Sequence, residues 1–93
     1  MLKPVYSGRY KKNYQQLKKR GYDMAKLDDV IDDYLIKQIP LPPEYFDHKL
    51  TGNWEGYREC HIEPDWLLIY RADKTKLFLY LMRTGTHSDL FRS

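Results

Sequence analysis

The chain has 93 residues and a formal net charge of +3, with 42% hydrophobic and 31% charged residues. This composition is typical of one globular domain and excludes the disordered and fibrous classes of protein. No apolar run approaches the roughly 18 residues of a membrane-spanning helix, and the first residues lack the apolar stretch of a signal peptide. A single cysteine excludes an internal disulfide framework and a multi-cysteine zinc site. We therefore expect one cytoplasmic domain over residues 1–93.

Charge is distributed unevenly along the chain. Residues 1–20 contain seven Lys or Arg and no acid, whereas residues 21–47 contain two basic residues and seven acidic ones. A basic block of this density predicts a surface for a polyanion, because each Lys or Arg near a phosphate releases condensed counterions. The alternative is a solvated helix whose lysines are neutralised by the acids that follow. The candidate lysines for contact with nucleic acid are Lys11, Lys12, Lys18 and Lys19.

The first third of the chain predicts a short strand and a helical hairpin. Leu2–Tyr6 alternates in part and contains Pro4, which lacks an N–H group and so belongs at a sheet edge. Ser7 and Asp23 are the predicted N-caps, and Gly21 is the predicted end of the first helix. Helical spacing of the apolar side chains defines the buried stripe of both helices. These residues are Tyr10, Tyr14 and Leu17, then Leu27, Val30, Ile31, Tyr34 and Leu35.

After a connector with three prolines, the apolar residues of the chain no longer follow helical spacing. Trp54–Ile62, Trp66–Arg71 and Leu77–Thr84 are rich in aromatic and aliphatic residues and are predicted strands. The polar segment between the last two strands predicts a hairpin, and Thr86–Phe91 predicts one helical turn. The order β-α-α-β-β-β predicts an α+β fold, with the helical hairpin packed on one face of a small antiparallel sheet.

Three histidines, His48, His61 and His87, lie at the predicted element boundaries. Imidazole can accept or give a proton near neutral pH, and the planar guanidinium of an arginine fits phosphate oxygens. A base, an acid and a fixed cation are the groups that transesterification of an RNA phosphodiester requires. Each histidine alone is better explained as a structural or surface residue, and the three together with Arg83 favour the functional interpretation. The other candidate residues near strand ends are Asp65, Trp66 and Arg83, together with Arg58, which we expect to bind the substrate.

Metal and thiol chemistry are the competing interpretations. His61-x-Glu63 is similar to the start of a zinc-deaminase signature, but that signature also needs a later Pro-Cys-x-x-Cys pair. A zinc site from His48, His61 and Asp65 has no diagnostic spacing. Cys60 lies inside a predicted strand, where a small buried hydrophobe is the default interpretation. We therefore expect no metal and no cofactor.

Two sequence blocks resemble the YafQ group of bacterial toxins in the RelE/ParE superfamily. The blocks are DHKLTGNWEGYRECHIEPDWLLIY, residues 47–70, and RTGTHSDLF, residues 83–91. Each motif alone is weak, but the ordered set at these spacings is specific and spans essentially the whole chain. The resemblance implies a RelE-like fold and a ribosome-dependent endoribonuclease of a type II toxin–antitoxin pair. Such toxins cut mRNA in the ribosomal A site by 2′-OH attack, without a metal.

The resemblance also implies roles for individual residues. His48 or His61 would act as the general base and His87 as the general acid, while Arg83 would hold the phosphate. Asp65 would orient a histidine or take part in proton transfer. The remaining functional positions are Asp47, next to His48, and Trp66 and Phe91, which would shape the surface for the bases.

The resemblance implies three partners: the 70S ribosome, its mRNA and a cognate antitoxin. The antitoxin would be a small dimeric protein with a partly disordered, acidic and hydrophobic arm that folds on the toxin. The four lysines named above would hold ribosomal RNA by charge. The alternative is a binding module of the same fold without catalysis, such as a degenerate toxin or a gyrase-binding relative.

Overall fold

The computed structural model describes residues 1–91. A first strand leads into a helical hairpin, and the proline-containing connector then leads to the main strands and a short final helix. A π-helical segment extends the second helix, and two short 3-10 turns lie in the connector region. The elements are β1 Lys3–Tyr6, α1 Gly8–Lys19, α2 Met24–Val30 with its π-helical extension Ile31–Leu35, β2 His48–Lys49, β3 Arg58–Glu63, β4 Trp66–Asp73, β5 Phe78–Gly85 and α3 His87–Phe91.

Local signals set the ends of the helical hairpin. The Ser7 side chain accepts a hydrogen bond from the backbone N–H of Tyr10 at 2.9 Å, and Asp23 accepts one from the N–H of Ala25 at 3.2 Å. Gly21 adopts a φ of +87° just after α1, a conformation that favours glycine and ends the helix. Both predicted caps and the predicted helix end are confirmed.

The sheet has five strands in the order β1-β5-β4-β3-β2. The three pairs from β2 to β5 are antiparallel, whereas β1 runs parallel to β5. The α+β class and the edge position of β1 are confirmed, but the prediction of a wholly antiparallel sheet is wrong. No tight turn joins β1 to β5, so the chain is free to bring them together in parallel through the long intervening segment.

Two strand predictions also need correction. The connector contains a short strand, β2, that the sequence did not predict because two residues show no periodicity. The strand predicted to begin at Trp54 begins at Arg58 instead. Gly52 and Gly56 adopt positive φ angles of +65° and +93°, and the chain turns there before it becomes extended.

The two faces of the sheet have different surroundings. The helices cover one face, where the buried core forms, and each fully buried leucine there contributes about 1.5–3 kcal/mol. Alternation along β4 directs Leu67 and Ile69 to the opposite face, and both are 0% exposed. We call this opposite side the open face; alternation and strand register place on it Glu59, His61, Leu67, Ile69, Arg71, Tyr80 and Arg83.

No helix within residues 1–91 combines the length and the apolar character that crossing a membrane would need.

Candidate active site

The open face forms the floor of a candidate site. One row of the strand ladder joins Glu59, Ile69 and Arg83, and a neighbouring row joins His61 and Leu67. A bulge in β5 between Leu81 and Arg83 shifts the pairing of this strand with β4. Because of this shift, Arg83 lies on the open face. The sheet therefore places a carboxylate, an imidazole and a guanidinium side by side over a buried aliphatic floor.

The three histidines come together at this floor. His48 lies on β2 opposite Glu59 of β3, and its ring centroid is 6.3 Å from that of His61. The chain crosses to α3 after Gly85, which brings the His87 ring to 5.8 Å from His61. His61 thus lies between the other two rings. The structure places the three imidazoles close enough to act around one phosphate.

Backbone carbonyls fix the orientation of two of these rings. The Nδ1 of His48 lies 2.6 Å from the carbonyl oxygen of Phe46, and the Nδ1 of His61 lies 3.2 Å from that of Pro64. A carbonyl oxygen only accepts hydrogen bonds, so we assign the Nδ1 atom as the protonated donor in both rings. The Nε2 atom of each ring then carries the lone pair that can accept a proton.

Glu59 is a site residue that the sequence reasoning missed. It is 5% exposed, and its Oε1 lies 3.4 Å from Nε2 of His48 and 3.7 Å from Nε2 of His61. The buried carboxylate is thus an acidic neighbour of both imidazoles. The signal that could have found it is the period of two along β3, which puts Glu59 on the same face as His61.

We expect Glu59→Gln to lower kcat while the protein remains folded, because the amide has the same shape but no charge. A hydrogen bond to a charged group contributes about 1.5–3 kcal/mol, and this loss corresponds to roughly a 10- to 100-fold slower reaction. Single-turnover cleavage rates measure the effect, with Asp29→Asn, an exposed carboxylate on α2, as the matched control. Equal rates for Glu59→Gln and the wild type would show that the carboxylate plays no part.

Asp65 holds His87 by two hydrogen bonds. Its Oδ1 accepts the backbone N–H of His87 at 2.9 Å and lies 2.5 Å from the Nδ1 of the ring. Thr86 and Asp89 also exchange reciprocal hydrogen bonds at the start of α3, which fixes the backbone there. These contacts orient His87 with its Nε2 free.

We expect Asp65 to titrate at unusually low pH. The His87 backbone N–H and then its ring donate to the carboxylate, and these bonds lower the pKa of Asp65. The stability that this carboxylate contributes is present above its unfolded pKa of about 3.9 and is lost as the pH falls through the lower folded value. NMR titration of the carboxyl carbon, with Asp65→Asn as the control, measures the midpoint. A midpoint at or above 3.9 would contradict the arrangement.

Arg83 is held by neutral partners. Its Nε donates to Oδ1 of Asn13 at 2.8 Å, and its Nη2 donates to the backbone oxygen of Asp89 at 3.4 Å. Partial burial lowers the pKa of the guanidinium, but arginine remains charged at any physiological pH. Because both of these partners are neutral oxygens, the positive charge is available to a phosphate. Asn13 is a second site residue that the sequence reasoning missed.

Trp66 does not lie on a surface for bases, and that prediction is wrong. The side chain is 1% exposed, donates its Nε1–H to Oγ1 of Thr84 at 3.0 Å and packs edge-to-face against Tyr22 at 5.0 Å. Residue 66 faces the helices because its neighbour Leu67 faces the other way. Phe91 does keep an exposed ring, 44% accessible, on α3.

Arg58 is also placed differently from its prediction as a substrate-binding residue. Its guanidinium donates to both carboxylate oxygens of Asp47 at 3.1–3.3 Å, and Tyr70 donates its hydroxyl to the same carboxylate. This pairing raises the pKa of Arg58 and compensates its charge locally. Arg58 shares a strand with His61 but projects to the opposite face of the sheet. Asp47 therefore anchors the connector to the sheet beside His48.

The four candidate lysines are exposed on α1. The helix packs against the sheet through Tyr10 and Leu17. Asn13 lies in the same helix and contacts Arg83. The helix that carries the lysines therefore adjoins the open face at Asn13.

The surroundings of Cys60 exclude a role as an exposed nucleophile. Cys60 is completely buried among apolar side chains, and this burial raises the pKa of its thiol. It is a packed core residue, as the sequence indicates. Within residues 1–91, no group of three or more His, Cys, Asp or Glu side chains has the arrangement that holds a metal ion.

The comparisons with known proteins decide the family. A family model described as a bacterial toxin of the type II toxin–antitoxin system, YafQ, matches residues 2–92. The chain belongs to the YafQ family. This assignment confirms the family that the sequence motifs indicated.

Individual YafQ proteins agree with this assignment. The mRNA interferase toxin YafQ of Escherichia coli K12 is 46% identical over 86 residues, which are 92% of this chain and 91% of that protein. The crystal structure of YafQ from Escherichia coli BL21(DE3) has a TM-score of 0.89 and 40% identity, and the match covers 98% of this chain and 99% of that one. YafQ in the Escherichia coli DinJ–YafQ complex gives a TM-score of 0.87, with 41% identity and the same coverage. These structures confirm the predicted α+β fold.

Proposed function

We propose that this YafQ-family chain is a ribosome-dependent endoribonuclease toxin that acts in the cytoplasm and cleaves mRNA in the ribosomal A site. The observation that carries the proposal is the grouping of three histidines, two of them beside the buried Glu59, next to a guanidinium that has no acidic partner within residues 1–91. The printed name of the Escherichia coli relatives, mRNA interferase, supports the same substrate. These groups suit an in-line transfer at an RNA phosphodiester.

The proposed reaction needs only the groups on the open face. His48 or His61 removes the proton from the ribose 2′-OH through its Nε2, and the 2′-oxygen then attacks the adjacent phosphorus. The P–O5′ bond breaks as the 2′-O–P bond forms, which leaves a 2′,3′-cyclic phosphate. His87, oriented by Asp65, gives a proton to the departing 5′-oxygen. Arg83 stabilises the charge that develops on the phosphate.

The experiment that tests this function follows a defined mRNA on purified 70S ribosomes. Wild-type protein is expected to cut the message at the A-site codon and to leave the same RNA intact when ribosomes are absent. Primer extension locates the cut, and end-group analysis identifies the cyclic phosphate. Cleavage of free RNA at the same rate would contradict ribosome dependence. Growth arrest without any cut message would instead favour the non-catalytic binding module of the same fold.

The exposed lysines of α1 are proposed to hold ribosomal RNA. We expect replacement of all four by alanine to weaken ribosome binding and to reduce the slope of log K against log salt, by about 0.7–0.9 per lost phosphate contact. Titration at several salt concentrations measures the slope. The fourfold arginine variant keeps the charge and is the matched control. An unchanged slope in the alanine variant would exclude this surface. The lysines are Lys11, Lys12, Lys18 and Lys19.

A cognate antitoxin is the proposed protein partner. The Escherichia coli relative has been solved in complex with DinJ, which supports such a partner for this chain. We propose a small dimeric protein whose acidic and hydrophobic arm folds on the toxin. Rescue of growth by co-expression of the neighbouring gene product tests the pairing.

A further inference from the structure

The open face continues beyond the histidines toward the other end of the sheet. Below the row that holds Arg83, the next row pairs Arg71 of β4 with Tyr80 of β5, both directed to this face. Tyr57 lies just before β3 and contacts Arg71 from the other side. We call this region the distal patch; it comprises Arg71, Tyr57 and Tyr80, with Lys49 and Lys74 at its margin.

Arg71 is the centre of the distal patch. Its guanidinium carbon lies 4.8 Å from the ring centroid of Tyr80 and 5.9 Å from that of Tyr57. Such contacts use the flat face of the guanidinium, so the N–H groups at its edge remain free to bind an anion. Tyr57 is positioned in turn by an edge-to-face contact with Trp54 at 5.4 Å. The patch therefore presents a fixed cation between two aromatic rings.

The charge around the distal patch is predominantly positive. Beside it lies an open groove of about 580 Å³, whose lining includes the exposed Lys49, Arg71 and Lys74. Arg58 also lines the groove, but Asp47 compensates its charge. One acidic residue, Glu55, is part of the lining. This balance favours a polyanion as the ligand of the groove.

The distal patch and the histidines belong to one continuous surface. Arg71 is four residues from Leu67 along β4, and Leu67 is paired with His61. At about 3.3 Å per residue, the two sites are roughly 13 Å apart on the same face. A single strand of RNA whose phosphate lies at the histidines can therefore reach the patch within a few nucleotides.

We propose that the distal patch binds the unpaired mRNA on the 3′ side of the cleaved codon, with a phosphate at Arg71 and bases against Tyr57 and Tyr80. A basic groove lined by aromatic rings is the general design of single-strand binding sites, and the half-buried Tyr57 and Tyr80 flank Arg71 here. The upstream message is paired with tRNA, so the downstream segment is the part with free bases. This inference rests on the proposed function and extends it to a second contact with the same substrate.

The test compares two messages on programmed ribosomes, one that ends just after the A-site codon and one that continues beyond it. We expect Arg71→Ala to raise KM for the long message about ten-fold, with kcat little changed, and to have no effect on the short one. Tyr57→Ala should behave in the same way, whereas Tyr57→Phe should retain wild-type KM because the ring is kept. Lys37→Ala, an exposed cation elsewhere on the chain, is the matched control.

Other outcomes of this comparison would contradict the assignment of the distal patch to the downstream message. An equal loss on both messages would mean that the patch contacts ribosomal RNA, and no loss on either would mean that it contacts no RNA. Weaker binding of the antitoxin alone would assign the patch to that protein. Anisotropy of a labelled single-stranded RNA oligonucleotide tests the patch without cleavage. Wild-type protein that fails to cut, together with an Arg71→Ala variant that binds the oligonucleotide about ten-fold more weakly, would contradict the proposed function but support the patch as an RNA-binding site. Equal oligonucleotide binding by the wild type and Arg71→Ala would exclude the patch.

Discussion

Replacement of His87 by alanine is expected to slow mRNA cleavage on programmed ribosomes by about 10²- to 10⁴-fold, the usual contribution of a general acid. The Asp65 carboxylate orients the His87 ring through Nδ1, and the Nε2 of that ring has no hydrogen-bond partner within residues 1–91. The loss should appear in kcat rather than in KM, because the proton moves only in the transition state. Single-turnover kinetics with saturating toxin measure it directly.

The control for this prediction is Ser88→Ala, an exposed neighbour in the same helix. Thermal unfolding should show that both variants remain folded, since His87 is exposed and contributes nothing to the core. A message with a 5′-thio leaving group needs no general acid, so it should restore most of the rate of His87→Ala. Failure of this rescue would assign His87 a different role, and near-wild-type cleavage of the normal message would remove it from the site.

Replacement of Arg83 by alanine is expected to reduce kcat by about 10²- to 10³-fold, because one preformed charge contact to the developing phosphate anion is lost. Arg83→Lys keeps the charge but not the planar fork, and we expect an intermediate rate. Quench-flow cleavage assays on programmed ribosomes compare the variants. A wild-type kcat for Arg83→Ala in folded protein would show that the guanidinium does not contact the reacting phosphate.

Asn13 provides a separate test of how Arg83 is positioned. Its amide oxygen accepts hydrogen bonds from the Arg83 Nε and from the Thr84 backbone N–H. Asn13→Ala leaves the charge in place but frees the side chain, so we expect about a ten-fold loss in kcat, the lower end of what a hydrogen bond to a charged group contributes. Combined with Arg83→Ala, the second substitution should add almost nothing, because the two residues act as one unit.

The local parts of the fold could be predicted from the sequence because their causes are local. Ser7, Gly21 and Asp23 delimit helices through contacts with residues two to three positions away or through their own backbone preference. The apolar stripes of both helices identify the side that packs on the sheet. Such signals depend on a few neighbouring residues, and they are visible in one sequence.

The pairing of β1 with β5 could not be predicted in the same way. Lys3 is opposite Phe78, and nothing in either segment specifies whether the strands run parallel. The direction follows from how the helical hairpin packs, which depends on the whole chain. The strand β2 could not be predicted for a different reason, because two residues are too few to show the alternation of side chains that marks a strand.

The residues of the candidate site also divide into those that one sequence identifies and those that only the fold brings together. The histidines could be selected because their chemistry is distinctive, and the family motif placed Arg83 with them. Glu59 and Asn13 carry no such signal, and only strand register and helix packing bring them to the site. Trp66 was misassigned because a tryptophan in a motif suggests stacking on bases. The alternation of side chains along β4 instead directs the Trp66 ring into the core.

The contact between Asn13 and Arg83 spans 70 positions of the chain, and β1 joins β5 across a similar separation. Both contacts need the last strand, so a partly synthesised chain lacks its catalytic surface. Synthesis of the C-terminal segment, rather than of the basic N-terminal helix, is therefore the step that completes the candidate site.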